Sequence, residues 1–288
     1  MEIAVVTGTS SGIGFATSLR LARHGYRVFA GMRDPGKAAP LQDAARDADL
    51  PVEVIALDVT DEASVAAAFE RIAGHGAVDV LVNNAGIGGA TPLELVPDAE
   101  HRAMFETNYF GAVRCIQQVL PTMRERGRGA IVNITSVAGL LAVPNQIPYS
   151  ASKWALECLG EALAHEVRRF GVRVVNVEPG VVMTRIFENS AESTRYDKAS
   201  PYRQIMRRNG KMFAAGFRDP AQPEDVAETI LAAITTDEYR LRWPVGHDAH
   251  GIAAGRPQVS DEAWVALGDE LTDEDYNRAF KGWFGIEL

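Results

Sequence analysis

The sequence predicts an α/β fold in which a doubly wound parallel sheet is covered by helices on both faces. Short runs rich in valine, isoleucine and leucine recur along the chain, and a helical segment separates each run from the next. Runs that are apolar on both faces and joined by helical crossovers are typical of parallel strands. The chain has 288 residues, of which 47% are hydrophobic. No linker or repeat interrupts it, so we predict one domain over residues 1–288.

The predicted strands lie near 2–7, 27–32, 52–57, 79–83, 130–135 and 172–178. Parallel strands end at the same edge of a sheet, and open α/β sheets bind ligands at that edge. The residues that follow the strands should therefore lie close together. Besides the glycine turn after the first strand, the candidates for ligand binding at this edge are Arg33, Asp58, Val59, Asn84, Ala85, Gly86, Pro179, Gly180, Val182 and Thr184, with Ser136 after the fifth strand.

The glycine-rich turn lies directly between the first strand and a predicted helix. Its residues are Gly8, Ser10, Ser11, Gly12, Ile13 and Gly14. Glycine permits backbone angles that other residues avoid, and helix N-termini attract phosphate through unpaired amides. The spacing differs from the G-x-G-x-x-G fingerprint, and the Lys-Ser/Thr pair of P-loop ATPases is missing. We predict a pyrophosphate cradle, the alternative being an ordinary turn at a strand end.

Tyr149 and Lys153 are four residues apart at the start of a predicted helix that Pro148 opens. This spacing places both side chains on one helix face. A free phenol has a pKa near ~10, and a neighbouring ammonium and the helix N-terminus both stabilise its phenolate. We therefore expect a tyrosine that exchanges protons near neutral pH. An isolated Tyr-x-x-x-Lys match is more often a solvated helix pair, so this motif depends on the others.

Taken together, the motifs resemble the short-chain dehydrogenases/reductases of the non-extended type. The matching residues are, in order, Gly8-x-x-x-Gly12-x-Gly14, Asn83-Asn84-Ala85-Gly86, Ser136, Tyr149-x-x-x-Lys153 and Pro179-Gly180. The resemblance covers about residues 1–236. Within the family, Gly31-Met32-Arg33-Asp34 and Ala155-Leu156-Glu157 are most similar to the hydroxysteroid and retinol dehydrogenase branch.

The resemblance implies a Rossmann-type fold and an NAD(P)-dependent oxidoreductase acting on a carbonyl or secondary alcohol. It assigns the proton transfer to Tyr149 and the orientation of the substrate oxygen to Ser136. Lys153 would hold the nicotinamide ribose as well as tune the tyrosine, so both Tyr149 and Lys153 also count as cofactor residues. Asn108 matches the family's fourth catalytic residue, which positions a water for proton relay. Its alternative is a buried asparagine that satisfies backbone groups.

The end of the second strand indicates the cofactor. Many NAD-using relatives place an acidic residue where this chain has Met32, and Arg33 follows. A guanidinium can bind a 2′-phosphate through paired hydrogen bonds. We therefore expect NADP(H) as the preferred cofactor, with NAD(H) possible; alternatively, Arg33 pairs with Asp34 or Asp58. By the resemblance, Asp58 and Val59 contact adenine, although Asp58 could instead cap the helix that starts near Asp61.

Residues 185–218 match the family's substrate lid, and residues 240–288 form a C-terminal extension. The alternative for the lid is a surface excursion packed on the domain. Aromatic residues in the extension indicate that it docks, on its own subunit or on a neighbour. We expect a hydrophobic ketone or secondary alcohol as substrate. The apolar residues expected near the cleft are Leu140, Leu141, Val143, Ile186 and Phe187; the lid also carries Tyr196, Tyr202, Met206, Met212 and Phe213.

Composition restricts the partners. The net charge of −9 argues against nucleic acid, and no apolar run is long enough to cross a bilayer. The N-terminus carries no leader, so we expect a cytoplasmic protein without a membrane partner. We expect no metal, because His247 and His250 lack a third ligand motif, and we expect Cys115 and Cys158 to be small buried residues. By the resemblance, the protein forms a homodimer or homotetramer.

Two other functions fit part of the pattern. A sugar-nucleotide epimerase of the extended type shares Tyr-x-x-x-Lys, but such proteins carry a tighter glycine motif and a longer substrate domain. A catalytically silent dinucleotide sensor usually lacks the tyrosine or the lysine, and this chain has both.

Overall fold

Both faces of the sheet are buried, as the first strand illustrates. All of β1 (Ile3–Thr7) is buried. Ile3 and Val5 belong to one core cluster, whereas Ala4 and Val6 belong to another. Because strand side chains alternate between faces, this pattern requires a layer of helices on each side. The structure, a computed structural model, describes residues 1–186, 194–195 and 197–288.

The sheet formed by the described residues has seven parallel strands. They are β1, β2 (Arg27–Met32), β3 (Val52–Ala56), β4 (Val78–Asn83), β5 (Gly129–Ile134), β6 (Val172–Pro179) and β7 (Arg242–Val245). Their order is β3-β2-β1-β4-β5-β6-β7, so the chain switches direction between β1 and β4. Such a switch opens a crevice at the carboxyl ends of the strands. Six strands match the sequence prediction, and β7 lies in the extension, where no strand was expected.

The described helices are α1 (Gly12–His24), α2 (Ala39–Asp47), α3 (Glu62–Ala73), α4 (Asp98–Phe105), α5 (Gly111–Arg126), α6 (Ile147–Val167), α7 (Arg203–Gly216), α8 (Pro223–Thr235), α9 (His247–Gly255), α10 (Asp261–Ala266) and α11 (Asp273–Phe284). Helices α3, α5 and α6 cover one face of the sheet, and α1 and α8 cover the other. This layering confirms the predicted Rossmann-type fold.

The C-terminal extension docks on its own chain. Tyr276, Phe280 and Phe284 are four residues apart on α11 and buried on one face of it. They form a cluster with Ile252 of α9 and with Leu141, which follows β5. The extension is therefore part of the same single domain.

Two smaller expectations concern cysteine and the membrane. Cys115 is buried as expected, but Cys158 is exposed, so the expectation was wrong there. Cys158 lies on the side of α6 that faces away from the sheet. No described helix is long and apolar enough to cross a membrane.

Candidate active site

The glycine turn between β1 and α1 has the backbone geometry that its sequence predicts. Gly8 and Gly12 have φ angles of +70° and +61°, which favour glycine. A Cβ added to Gly14 would lie 2.4 Å from the Gly8 carbonyl oxygen. Ser11 is the N-cap residue of α1 but makes no capping hydrogen bond with its side chain. The amides of the first turn thus remain available, and a cradle of this shape and polarity fits a pyrophosphate.

Asn84 holds this turn in place. Its Nδ2 donates to the carbonyl oxygens of Thr7 and Gly8, at 2.8 and 3.0 Å. The backbone amides of Asn84 and Ala85 donate to Thr7 Oγ1 at 3.0 and 2.9 Å. The Asn84 side chain therefore supports the glycine turn.

Arg33 lies at the carboxyl end of β2, and its side chain is exposed. Within the described residues, the structure gives its guanidinium no ion pair with Asp34 or Asp58. The Asp34 carboxylate accepts from the Gly36 amide, and the Asp58 carboxylate accepts from the Thr60 amide and hydroxyl. Arg33 therefore does not pair with Asp34 or Asp58, which was the alternative interpretation.

Asp58 does not cap the next helix, because Asp61 does so: its carboxylate accepts from the amides of Ala63 and Ser64. Val59 is buried, and its Cγ2 lies 2.7 Å from the position of a Cβ added to Gly111. The Val59 side chain therefore packs into the core.

The segment after β6 closes the crevice from the other side. The Gly180 amide donates to Val245 O at 3.0 Å, and the Val181 amide donates to Asp248 Oδ2 at 2.8 Å. Thr184 approaches the glycine turn: its Cγ2 lies 3.0 Å from a Cβ added to Gly12. Two loops that are distant in sequence thus form one crevice.

Ser136 and Tyr149 face each other beside this crevice. Ser136 follows β5 and accepts from the Ala138 amide at 3.1 Å. Tyr149 lies in the first turn of α6, whose N-terminal residues are Ile147 and Pro148. Ser136 and Tyr149 line the same cavity. The predicted pair is therefore brought together.

Lys153 is buried one helical turn after Tyr149. Its Nζ lies 5.7 Å from the Tyr149 ring centroid and donates to Ile134 O at 2.8 Å. Burial raises the pKa of Tyr149, and the nearby Ser136 hydroxyl opposes the rise. Burial also lowers the pKa of Lys153 to about 8, opposed by Glu157. The expectation of a lowered tyrosine pKa is thus not met here, because loss of hydration outweighs stabilisation of the phenolate.

Asn108 is buried in a π-helical turn, Glu106–Phe110, between α4 and α5. Its Oδ1 accepts from the Ile87 amide at 2.9 Å, and its Nδ2 donates to Ile87 O at 3.0 Å and to Ser152 Oγ at 2.9 Å. A Cβ added to Gly86 would lie 3.3 Å from Asn108 Oδ1 and 3.7 Å from Lys153 Nζ. Asn108 thus lies near Lys153 while it satisfies the backbone of the loop after β4.

A cavity of about 570 Å³ lies next to these groups. Of the predicted site residues, those that line it are Ile13, Ser136, Tyr149, Lys153, Pro179, Gly180, Val182 and Thr184. Its other walls are mostly apolar. Asn108 lies in its π-helical turn between α4 and α5, and the other predicted residues follow β1 to β4.

The expected apolar lining is partly correct. Val143 and Ile186 line the cavity, whereas Leu140 and Leu141 do not. Leu141 is fully buried in the cluster with the C-terminal extension. Phe187 and Tyr196 lie outside the described residues.

Several cavity residues were missed from the sequence. Ile252, Phe280 and Ile286 come from the C-terminal extension, and Asp248 joins them. The helical spacing of Tyr276, Phe280 and Phe284 signals a buried face, but not what it is buried against.

A buried arginine joins the segment predicted as the lid to the C-terminal extension. Arg208 of α7 is 1% exposed. Its guanidinium donates to Leu267 O at 3.2 Å and Leu271 O at 2.7 Å, and it lies 4.4 Å from the centroid of the Tyr276 ring. Met206 and Phe213 of the same helix line the cavity. One wall of the cavity is thus built by two segments that depend on each other.

Comparison with known proteins agrees with this geometry. Residues 2–195 match the family model described as short chain dehydrogenase. Human retinol dehydrogenase 8 is 45% identical over 252 residues, covering 83% of this chain and 79% of the relative. Human 17-beta-hydroxysteroid dehydrogenase type 1 is 38% identical over 255 residues, covering 84% and 76%.

Solved structures share the fold. A short-chain dehydrogenase from Streptomyces avermitilis superimposes with a TM-score of 0.80 at 32% identity, covering 98% of both chains. A gluconate 5-dehydrogenase from Burkholderia cenocepacia, in complex with NADP and tartrate, gives 0.71 at 27% identity, covering 85% of this chain and 93% of the other. A 3-ketoacyl-(acyl-carrier-protein) reductase from Brucella melitensis, complexed with NADH, gives 0.72 at 26% identity, covering 85% and 96%.

The glycine cradle, the Ser136–Tyr149 pair with its buried lysine, and the family match lead to one conclusion: this chain belongs to the short chain dehydrogenase family of oxidoreductases.

Proposed function

We propose that this enzyme transfers hydride between a nicotinamide cofactor, preferably NADP(H), and a hydrophobic carbonyl or secondary alcohol. The observation that carries the proposal is that Ser136, Tyr149 and the buried Lys153 come together in the wall of a largely apolar cavity. The nicotinamide, when bound, supplies or accepts the hydride.

Tyr149 acts as the general acid in carbonyl reduction. Burial raises the pKa of its phenol, so the group is protonated at neutral pH and can deliver a proton to the developing alkoxide. In alcohol oxidation the phenolate removes the same proton, and the raised pKa makes this direction more favourable at alkaline pH. We therefore expect carbonyl reduction to be the faster direction near neutral pH.

Ser136 and Lys153 support that proton transfer. Ser136 donates to the substrate oxygen and fixes it beside Tyr149. Negative charge therefore develops on that oxygen at a place where the hydroxyls of Ser136 and Tyr149 already point. Lys153 supplies a buried cation next to the phenol, and its other donors would hold the nicotinamide ribose. Asn108 keeps the loop after β4 against Lys153 through its bonds to Ile87.

The preference for NADP(H) rests on Arg33. Its guanidinium is exposed at the carboxyl end of β2, where the adenosine ribose would lie, and the aspartates beside it are occupied by backbone groups. Asp58 would accept from the adenine amino group. The glycine turn, Ala85, Gly86 and residues 179–184 would contact the phosphates and the nicotinamide.

The hydrophobic substrate is inferred from the cavity walls. Apolar residues from the predicted lid and from the extension line part of the cavity, as Phe213, Ile252 and Phe280 exemplify. Burying apolar surface favours binding by about 25 cal/mol per Å². Residues 185–218 would act as the lid over this substrate.

We further propose a homodimer or homotetramer that uses the helices bearing Asn108 and Tyr149. Phe110 and Trp154 on these helices are each 46% exposed, so they offer apolar surface for such a contact. Light scattering would measure the assembly, and a monomer at micromolar concentration would contradict it.

The deciding experiment follows NADPH oxidation across a panel of steroid, retinoid, aliphatic and sugar carbonyls. The Tyr149→Phe variant should bind NADPH as the unaltered enzyme does and lose turnover. Unchanged turnover would remove Tyr149 as the acid, and binding without turnover in the unaltered enzyme would favour a silent sensor. Activity confined to polar sugars would contradict the substrate class.

A further inference from the structure

A row of asparagine side chains crosses the sheet and ends at Glu157. Asn83, Asn133 and Asn176 lie in register on β4, β5 and β6, and all three are buried. Asn83 Nδ2 donates to Asn133 Oδ1 at 3.0 Å, and Asn133 Nδ2 donates to Asn176 Oδ1 at 3.2 Å. Asn176 Nδ2 then donates to Glu157 Oε2 at 2.8 Å.

The carboxylate fixes the direction of this row. An ionised carboxylate only accepts hydrogen bonds, so Asn176 must turn its amide nitrogen to Glu157 and its oxygen to Asn133. In the same way, Asn133 and Asn83 each turn their amide nitrogen toward the next residue of the row. The Oδ1 of Asn83, at the far end, is buried without a hydrogen-bond partner among the described residues. The side-chain amide dipoles therefore point the same way, with their positive ends toward Glu157. Asn176 Nδ2 and Arg242 Nε both donate to Glu157 Oε2.

Glu178 also approaches Arg242, but at a longer distance than Glu157 does. Arg242 Nε lies 3.0 Å from Glu157 Oε2 and 3.4 Å from Glu178 Oε1. Burial and the proximity of Glu157 raise the pKa of Glu178 to about 8, and Arg242 and Arg240 oppose the rise. Near pH 7 Glu178 therefore holds its proton, and Arg242 pairs with Glu157.

Lys153 is the cation on the same helix as the Glu157 carboxylate. It lies one helical turn before Glu157 on the same face of α6 and is 5% exposed. Burial lowers the pKa of Lys153, and the charge of Glu157 opposes that effect. The other groups around this pair are Tyr149 and the exposed Glu161 on α6, Glu178 on β6 and Arg242 on β7.

We propose that Glu157 is a positioning residue: its carboxylate, held in place by hydrogen bonds from the asparagine row and Arg242, stabilises the Lys153 ammonium one helical turn away in its buried site. Glu157 does not line the cavity, and it acts on the reaction through Lys153 alone. The importance of that cation for turnover rests on the function proposed above, whereas the coupling of the two charges does not.

The test measures the titration of Lys153 directly. The chain has five lysines, so a selectively labelled lysine spectrum is simple, and Lys153→Arg assigns the signal. Glu157→Gln keeps the size of the side chain and removes its charge. We expect its Lys153 midpoint to fall by about one pH unit or more, since a charge at i+4 in a buried site is weakly screened. In the pH profile of carbonyl reduction, the midpoint of the basic limb should fall by the same amount. Glu157→Asp should restore part of both midpoints.

Glu161→Gln is the matched control. Glu161 lies on the same helix and pairs with Arg242 at 2.6 Å, but its side chain is 63% exposed. Its loss should leave the Lys153 midpoint unchanged. A general effect of weakening the Arg242 cluster would move the midpoint in both variants, and equal shifts would overturn the proposal.

Two further results would overturn it. One is a folded Glu157→Gln variant with an unaltered Lys153 midpoint. The other is a carboxyl carbon shift of Glu157, in the unaltered enzyme at pH 7, that corresponds to the protonated acid; this measurement decides the matter even if the variant does not fold. If no carbonyl is reduced at all, the proposed function fails, while the lysine titration still tests the coupling.

Discussion

Asp248 accepts a hydrogen bond from the backbone amide of Val181, with 2.8 Å between Oδ2 and N. This bond joins α9 of the C-terminal extension to the loop after β6. The approach is close, because a Cβ on Gly180 would lie 1.9 Å from Asp248 Oδ1. Burial raises the pKa of Asp248, and the amides of Val181 and Ala249 oppose the rise by donating to the carboxylate. The extension thus fixes the position of a loop that we assign to cofactor binding.

Replacing Asp248 with alanine should therefore weaken NADPH binding by about tenfold, because the Val181 amide loses a buried partner worth roughly 1–3 kcal/mol. Asp248→Asn keeps an acceptor oxygen and should bind NADPH within about threefold of the unaltered enzyme. A fluorescence titration measures both constants. Equal binding by a folded Asp248→Ala variant would show that the loop holds its shape without the extension.

The glycine turn should not tolerate a methyl group. In Gly14→Ala the new Cβ would meet Gly8 O at 2.4 Å and Asn84 Nδ2 at 2.5 Å. Such overpacking costs about 1–3 kcal/mol and would displace the turn, so both stability and NADPH binding should fall. Gly282→Ala is the control: its Cβ on α11 meets nothing within 4 Å, and it should stabilise the protein by about 0.5–1 kcal/mol. Urea unfolding compares the two, and a Gly14→Ala variant with normal binding would contradict the close packing.

Arg33→Gln tests the cofactor preference. Loss of a charge-assisted contact to a 2′-phosphate should raise the KM for NADPH by about ten- to a hundredfold, since such bonds contribute roughly 1.5–3 kcal/mol. The KM for NADH, which lacks that phosphate, should remain within about twofold. Parallel loss with both cofactors would instead indicate a structural role for Arg33.

Glu178 should make stability depend on pH. Its pKa is raised to about 8 by burial and by Glu157, so the folded state holds a proton that the unfolded chain has released above its ordinary value of 4.5. Stability from this group is therefore complete below about pH 4.5 and is lost as pH rises toward 8. Glu178→Gln should flatten that slope and stabilise the protein at pH 8 by about 1–3 kcal/mol.

Thermal or urea unfolding of both proteins between pH 5 and pH 8 would measure this difference. Parallel curves for the variant and the unaltered enzyme would contradict the raised pKa of Glu178.

The sequence was sufficient for most of the sheet and for the pairing of Tyr149 with Ser136. Six strands are continuous apolar runs, and the rule that parallel strands end at one edge brings their following residues together. The seventh strand was missed because Arg242–Val245 is short and contains a tryptophan and a proline instead of an aliphatic run. Its pairing with β6 depends on contacts between distant parts of the chain.

Burial explains the other differences. The spacing of Tyr149 and Lys153 gives their helix face, but the cost of removing both groups from water depends on the loops packed around them. Because of that cost, the pKa of Tyr149 is raised and not lowered. In the same way, Phe280 and Ile286 are recognisable as apolar residues, but only the docking of the extension places them at the cavity.

Arg208 restricts how the substrate range of this enzyme could be altered. Its guanidinium on α7 is tied to carbonyl oxygens at Leu267 and Leu271, so the lid helix and the C-terminus form a matched pair. Replacing residues 185–218 with those of a relative that lacks this arginine would leave the carbonyl oxygens of Leu267 and Leu271 without their donor. Chimaeras that exchange substrate range should therefore move both segments at once.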